Sequence, residues 1–232
     1  MLNKYSTSAI LNELSRVLNN NAPESASKAF IEVSEGRFID PHLSLLMPMS
    51  IDDLSRIRKE VDRIIGLSKT ARAAFITLGL TETWKDLETG MYLNAAPPPN
   101  LLVRDKGRFV FENSTFTRSL DEMSQVVELL KRENPEIRVV ITVSPVPLGT
   151  TFTTADVIAA NTYSKSTLRA VAQALYDKYD YVDYFPSYEM VLHSPRELAW
   201  GNDQLHVRAP MVEHVVGHFM KNYIVGDIDA AA

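Results

Sequence analysis

The chain has 232 residues, and 45% of them are apolar, which is enough for one large α/β domain with a sizeable core. A formal net charge of −5 without a basic cluster argues against a nucleic-acid partner. The sequence has no cysteine, which excludes disulfides, thiolate metal sites and a cysteine nucleophile. No apolar run is long enough to span a bilayer and no signal peptide is evident, so we expect a single cytoplasmic domain over residues 1–232 without a membrane partner.

The first part of the chain combines amphipathic helices with a short hairpin. Helical spacing of apolar residues predicts a helix over residues 8–18 and another over residues 51–68, the second capped by Ser50. Between them, residues 30–33 and 37–39 flank a Ser-Glu-Gly turn and predict a hairpin. His42 follows this hairpin, where it is either a turn residue or a residue that lines a site.

Polar residues follow the first strong strand signal. The apolar run at residues 73–79 predicts a buried parallel strand, and Gly79, Thr81 and Glu82 come at its end. Open α/β sheets bind ligands beyond the carboxyl ends of their strands, so this segment is a candidate for the site. The alternative is that Gly79 only makes a turn and that Trp84 only packs.

The second part of the chain alternates strands and helices. Residues 95–100 read as a stiff, extended segment without helix, and residues 108–112 as a short strand outside the main sheet. Strands are predicted at residues 137–143 and 180–185, and helices at residues 120–132, 154–179 and 210–223. This order predicts an α/β fold in which a parallel sheet carries helices on both faces.

The loop that leads into the last helix contains Asp203 and His206. An imidazole that acts as a general base needs a carboxylate to fix its tautomer and to stabilise the imidazolium. A short loop can supply that alignment locally. The spacing alone is a weak signal, and it gains weight because Gly79, Thr81 and Ser144 are predicted at the same edge of the sheet.

Other catalytic classes lack their motifs in this sequence. The G-x-S-x-G elbow of an ordinary α/β-hydrolase is absent, and so are a P-loop and a G-x-G-x-x-G turn. His214 and His218 have a spacing that suits a metal on a helix, but no third ligand is evident. We therefore expect neither a metal nor a cofactor.

Five strings, in order, carry a resemblance to a known family. They are TLGLTETW at 77–84, VSPVP at 143–147, ANTYSKSTLR at 160–169, YFPSYE at 184–189 and DQLH at 203–206. Together they resemble the GSCFA family, a branch similar to the SGNH (GDSL-type) hydrolases. The resemblance implies a three-layer α/β/α, flavodoxin-like domain with a Ser/Asp/His site, related to esterases and acetyltransferases that act on carbohydrate.

The resemblance implies roles for individual residues. Asp203 matches the orienting carboxylate and His206 the general base. Residues 79–82 resemble the block that holds G-x-N-D, with Thr81 where the oxyanion-hole Asn stands. The segment that names the family, with the serine nucleophile on the first strand, is absent. We therefore expect that the first, central strand is missing here and that the nucleophile lies upstream of Met1.

Alternatives remain open. Ser144 and Ser187 lie at strand ends but without a sharp, glycine-flanked turn, so a structural role is favoured over a nucleophilic one. Capping or packing roles are also favoured for Ser6, Ser8, Asn161 and Lys165. The chain could instead be a non-catalytic domain that binds a carbohydrate or a partner. It could also be a fragment without a function of its own.

Overall fold

The structure, a computed structural model, describes residues 4–19, 29–43 and 47–224. In this part of the chain the elements follow one another in the order α1 (Thr7–Leu18), β1 (Ile31–Ser34), β2 (Arg37–Ile39), α2 (Ile51–Gly66), β3 (Ala73–Leu78), β4 (Glu82–Asp86), α3 (Pro99–Arg104), β5 (Phe109–Asn113), α4 (Phe116–Glu133), β6 (Arg138–Val143), α5 (Val157–Lys178), β7 (Val182–Tyr184), α6 (Ser187–Leu192), α7 (Arg196–Ala199) and α8 (Ala209–Tyr223). None of these helices is long and apolar enough to cross a membrane.

The centre of the fold is a parallel sheet with the strand order β3-β6-β7. β3 and β6 are in register along their whole length, from Ala73 opposite Arg138 to Leu78 opposite Val143. β7 pairs with the other side of β6, where Val182 lies opposite Val139. β6 is rich in β-branched residues and is buried on both faces, which explains its central position. β3, predicted as a buried strand, is only half buried: Ile76 and Leu78 face the core, whereas Phe75 and Thr77 are exposed.

Helices cover both faces of this sheet. Alternate strand residues, among them Ile76 and Ile141, pack with α1, α4 and α5 in the main apolar core. The opposite face meets α6 and α8, where Phe75 of β3 lies edge-to-face on Phe219 with ring centroids 4.5 Å apart. The predicted three-layer α/β/α architecture with a parallel sheet is therefore confirmed.

One edge of the sheet is open in the described part of the chain. There β3 pairs only with β6, and its other edge borders a cavity of about 750 Å³, here called the edge cavity, lined by β3, α1 and the end of α2. Phe75 is 53% exposed at this position. Natural proteins usually protect a flat, apolar edge strand with charge, proline or a covering segment, and Ala73–Leu78 has neither charge nor proline.

A smaller layer of two antiparallel strand pairs lies beside the sheet. β1 and β2 form a hairpin, whereas β4 pairs with β5 across a connection that contains α3, in the register Glu82 opposite Asn113 to Asp86 opposite Phe109. A second apolar cluster joins the two pairs through Ile31, Leu93, Leu101 and Phe109. The hairpin predicted at residues 30–39 and the strand outside the main sheet are both confirmed.

One local prediction needs correction, and three short elements were not predicted. Glu82–Asp86, which follows the turn after β3, is a strand, because β5, far along the chain, supplies its partner. The segment predicted as extended at residues 95–100 gives way to helix at Pro99, since a proline without an N–H fits the first helical turn. The stretch after β7 also contains two short helices, α6 and α7, that were not predicted.

Candidate active site

Asp203 and His206 form a hydrogen-bonded pair on the loop between α7 and α8. His206 Nδ1 lies 2.5 Å from Asp203 Oδ2, and Asp203 Oδ1 accepts the backbone N–H groups of Leu205 and His206, each at 3.0 Å. Gly201 N–H donates to the His206 carbonyl oxygen at 2.8 Å and closes the loop. Gln204 has a φ of 59°, a left-handed conformation that the tight turn imposes. The predicted alignment of the two side chains by one short loop is present.

The electrostatics of the pair suit a base held by a carboxylate. The side-chain hydrogen bond from His206, followed by the two backbone N–H groups, holds the pKa of Asp203 well below its usual range. An ionised Asp203 accepts a hydrogen bond from the Nδ1–H of His206, which leaves Nε2 as the acceptor when the imidazole is neutral. The His206 side chain is 78% exposed, and no residue in the described part of the chain hydrogen-bonds Nε2.

The turn after β3 presents two backbone donors to one oxygen. The N–H groups of Gly79 and Leu80 both donate to the carbonyl oxygen of Tyr5, at 3.0 and 2.8 Å. A Cβ at position 79 would lie 2.9 Å from that oxygen, so only glycine allows the approach. Two adjacent amides that converge on one oxygen have the arrangement that an oxyanion requires.

Two residues of α5 hold this turn by hydrogen bonds. Ser164 Oγ accepts the Thr81 N–H at 2.9 Å, and Lys165 Nζ donates to the Gly79 carbonyl oxygen at 2.8 Å. Lys165 is 1% exposed, and this burial lowers the pKa of its ammonium to about 7. Thr81 Oγ1 is buried and has no partner among the described residues. Its predicted part as an oxyanion donor stays a prediction.

A second cavity, the Trp84 cavity, of about 430 Å³, begins at Tyr5 and Leu80 and lies between β4 and the loop at 147–152. Glu82 anchors that loop, because its carboxylate accepts the Thr151 hydroxyl at 2.5 Å and the Phe152 N–H at 3.0 Å. Phe152 lies edge-to-face on Trp84, with centroids 5.1 Å apart. Glu82 thus shapes the cavity beside the turn.

His42 lies elsewhere, in a buried ionic network. Its Nδ1 is 3.1 Å from Asp40 Oδ1, and Asp40 also pairs with Arg58. Arg58 bridges to Glu13, which in turn pairs with Lys4. His42 Nε2 is buried without a partner in the described ranges, and His42 lines neither the edge cavity nor the Trp84 cavity.

The structure brings Gly79, Thr81 and Glu82 together but does not join them to the Asp-His pair. No hydrogen bond, ion pair or ring contact between described residues links Asp203 or His206 to the segment 79–82. Sequence reasoning missed Tyr5 and Ser164, which hold the turn by contacts across more than 70 positions of the chain. A one-dimensional pattern carries no signal for such contacts.

Three of the serines weighed above, Ser6, Ser144 and Ser187, have structural partners. Ser6 caps α1 by accepting the Ala9 N–H, and Ser144 Oγ accepts the Val146 N–H. Ser187 Oγ donates to the Val143 carbonyl oxygen at 3.2 Å and lies 2.5 Å from Thr142 Oγ1. These bonds agree with the structural roles expected for the three serines.

The two histidines with metal-like spacing remain exposed on α8. His214 and His218 both face solvent, and the His218 ring lies 6.4 Å from that of Phe185. No group of three His, Cys, Asp or Glu side chains with the geometry of a metal site occurs in the described ranges.

Comparison with known proteins places the chain in one family. The model of the GSCFA family matches residues 1–219, so the protein belongs to the GSCFA family. No curated protein and no solved structure matches the chain.

Proposed function

We propose that this protein is an SGNH-type serine esterase or acyltransferase that acts on an acylated carbohydrate in the cytoplasm. The observation that carries the proposal is the 2.5 Å hydrogen bond between His206 Nδ1 and Asp203 Oδ2, with Nε2 left as an acceptor. Asp203 orients the ring, and His206 is the general base. Small-molecule or carbohydrate esters are the substrates, and neither nucleic acid nor a membrane is a partner.

The nucleophile in this proposal is a serine upstream of Met1, on a strand that pairs with the open edge of β3. Support comes from the unpaired, uncharged edge of Ala73–Leu78 and from the edge cavity along it. A parallel strand there would end beside Gly79, whose N–H faces the same side of the turn as that of Leu80. The Tyr5 carbonyl oxygen now occupies the position that the oxyanion would take.

Each half of the reaction then needs two proton transfers. His206 Nε2 takes the serine hydroxyl proton as the serine oxygen bonds to the ester carbonyl carbon. The ester carbonyl oxygen becomes an oxyanion. The amides of Gly79 and Leu80 stabilise it once the Tyr5 carbonyl oxygen, which accepts both N–H groups in this structure, has moved away. When the ester C–O bond breaks, the imidazolium returns the proton to the leaving alkoxide. Water or a sugar hydroxyl then releases the acyl group by the same steps.

The test is ester turnover by the chain extended in frame upstream of Met1. We expect hydrolysis of 4-nitrophenyl acetate, with kcat/KM reduced at least about 10²-fold by His206→Ala, because a general base contributes that much or more. His214→Ala is the matched control, since it removes an exposed imidazole from α8. Unchanged turnover in His206→Ala contradicts the proposal.

A second candidate is a non-catalytic domain that binds a carbohydrate or a partner. The observation that favours it is the high exposure of His206, together with the lack of any described contact between the Asp-His pair and the turn at 79–82. This candidate predicts that the extended chain has no ester turnover but shows saturable binding of a saccharide.

A further inference from the structure

The Trp84 cavity begins where the proposed chemistry takes place. Tyr5 and Leu80 line its inner end, and these residues contribute the carbonyl oxygen and one of the two N–H groups at the turn after β3. A group bound in the cavity would therefore lie next to the two convergent amides. The volume of about 430 Å³ is within the lower part of the range of small-molecule sites.

Glu82, Thr83 and Asn94 on the wall already have partners inside the protein, whereas Trp84 Nε1 is buried and has no hydrogen-bond partner among the described residues. Both oxygens of Glu82 accept hydrogen bonds from the loop at 151–152. Thr83 Oγ1 bonds to Ser6 Oγ at 3.2 Å, and Asn94 Oδ1 accepts the Tyr5 N–H at 2.9 Å. A sugar in this cavity would compete for these groups, and hydroxyls left without partners would be costly to bury.

Most of the rest of the wall is apolar. Trp84 and Phe152 form one side, and Phe111 packs behind both rings. Six further lining side chains are aliphatic, and Tyr5 and Thr150 add a phenol and a hydroxyl; the aliphatic six are Leu80, Leu93, Ala95, Ala96, Pro147 and Leu148. Such a surface gains free energy from burying a hydrocarbon chain.

We propose that the Trp84 cavity binds the acyl group of the substrate, while the carbohydrate part of the ester stays outside it. The inference rests on the proposed ester chemistry for its context, but binding can be measured without turnover. A neutral N-methyl alkanamide is a suitable probe, because it has the acyl chain and the carbonyl oxygen of an ester but is not hydrolysed readily.

The experiment uses the intrinsic fluorescence of Trp84 in the chain of 232 residues. Trp200 is the only other tryptophan, and Trp200→Phe keeps an aromatic ring in its apolar cluster. N-methyl amides from acetyl to decanoyl are titrated against this variant. We expect saturable binding whose Kd falls about fourfold with each added methylene until the cavity is full.

Two substitutions in the wall change the cavity in opposite directions. Ala96→Phe fills it and is expected to weaken binding of the octanoyl amide at least tenfold, whereas Leu148→Ala enlarges it and shifts the preferred chain length upward. Ala159→Phe, on the exposed face of α5, is the control and leaves every Kd unchanged. If Ala96→Phe does not fold, the shift in Leu148→Ala still tests the proposal.

Other outcomes separate this inference from the proposed function. Saturable binding of methyl glucoside without binding of the amides overturns the acyl assignment, as does a Kd that is independent of chain length. Amide binding by an extended chain that has no ester turnover supports the cavity and contradicts the hydrolase. Ester turnover that is insensitive to acyl length, without amide binding, supports the hydrolase and contradicts the cavity.

Discussion

The ammonium of Lys165 lies 2.8 Å from the carbonyl oxygen of Gly79, and this is its only hydrogen bond among the described residues. An ammonium has three donors, so a buried Lys165 is poorly satisfied when it is charged. The contact nevertheless orients the Gly79–Leu80 peptide, whose N–H is one of the two donors at the turn. Lys165 therefore has a cost in stability and a role in holding the candidate oxyanion site.

Lys165→Met is expected to remove a pH dependence of stability. Burial lowers the pKa of Lys165 to about 7 in the folded chain, against about 10.4 in the unfolded chain. Between these values the unfolded chain binds more protons, so the free energy of unfolding rises with pH by up to about 1.4 kcal/mol per unit. Below pH 7 both states are protonated, and the destabilisation is complete.

Urea unfolding at pH 7, 8 and 9 measures this slope. Lys165→Met should flatten the slope and be at least as stable as the original chain at pH 7, because an apolar side chain suits the site. Lys59→Met, on the exposed side of α2, is the control and keeps the slope. An unchanged slope in Lys165→Met would show that the lysine keeps its proton in the folded chain.

Gly79→Ala should disrupt the turn. The added Cβ would lie 2.9 Å from the carbonyl oxygen and 3.1 Å from Cα of Tyr5, so the segment before α1 must move and both hydrogen bonds to Tyr5 weaken. We expect a loss of about 1–3 kcal/mol in the free energy of unfolding. Gly217→Ala is the matched control: nothing lies near its added Cβ in α8, and it should stabilise the chain by up to about 1 kcal/mol. If Gly79→Ala and Gly217→Ala changed the free energy of unfolding equally, the close approach of Tyr5 to Gly79 would be refuted.

Arg58 should be essential for stability, because it holds two buried carboxylates. Its Nη1 lies 2.9 and 3.1 Å from the oxygens of Glu13, and its Nη2 pairs with Asp40. Arg58→Met removes the cation that these two buried carboxylates share and should cost about 3–5 kcal/mol in urea unfolding. Arg56→Met, which breaks an exposed pair with Asp53, should leave the midpoint almost unchanged. If Arg58→Met changed the free energy of unfolding only slightly, the remaining partners of Glu13 and Asp40 would be sufficient to hold these carboxylates, which would contradict the prediction.

The same network predicts loss of stability in acid. Burial acts to raise the pKa of Asp40, but the hydrogen bond from His42 and the charge of Arg58 outweigh it and keep the pKa below its usual range. The stability from this group is therefore present above the unfolded pKa near 4 and is lost as the pH falls through the folded value. Asp40→Asn should reduce this acid sensitivity in a pH titration of stability.

Local patterns in the sequence were enough for the main elements of the fold. The β-branched run at residues 137–143 became β6, because burial on both faces requires such residues, and the apolar run at 73–79 became β3, which buries only one face. Asp203 and His206 pair as expected, since three positions on one loop determine their geometry. The pairing of β4 with β5 joins residues 23 to 31 positions apart, and the contact between Lys165 and Gly79 spans 86 positions, so both lie beyond the reach of local patterns.

The decisive measurement is fluorophosphonate labelling followed by intact mass, on the chain as given, on the chain extended upstream of Met1, and on the extended chain with His206→Ala. We predict one adduct on the extended chain, little on its His206→Ala variant, and none on the chain as given. An adduct on the chain as given would place the nucleophile at Ser6, Ser144, Ser187 or another internal serine and contradict the upstream assignment. No adduct on any of the three would contradict the serine hydrolase and favour a binding domain.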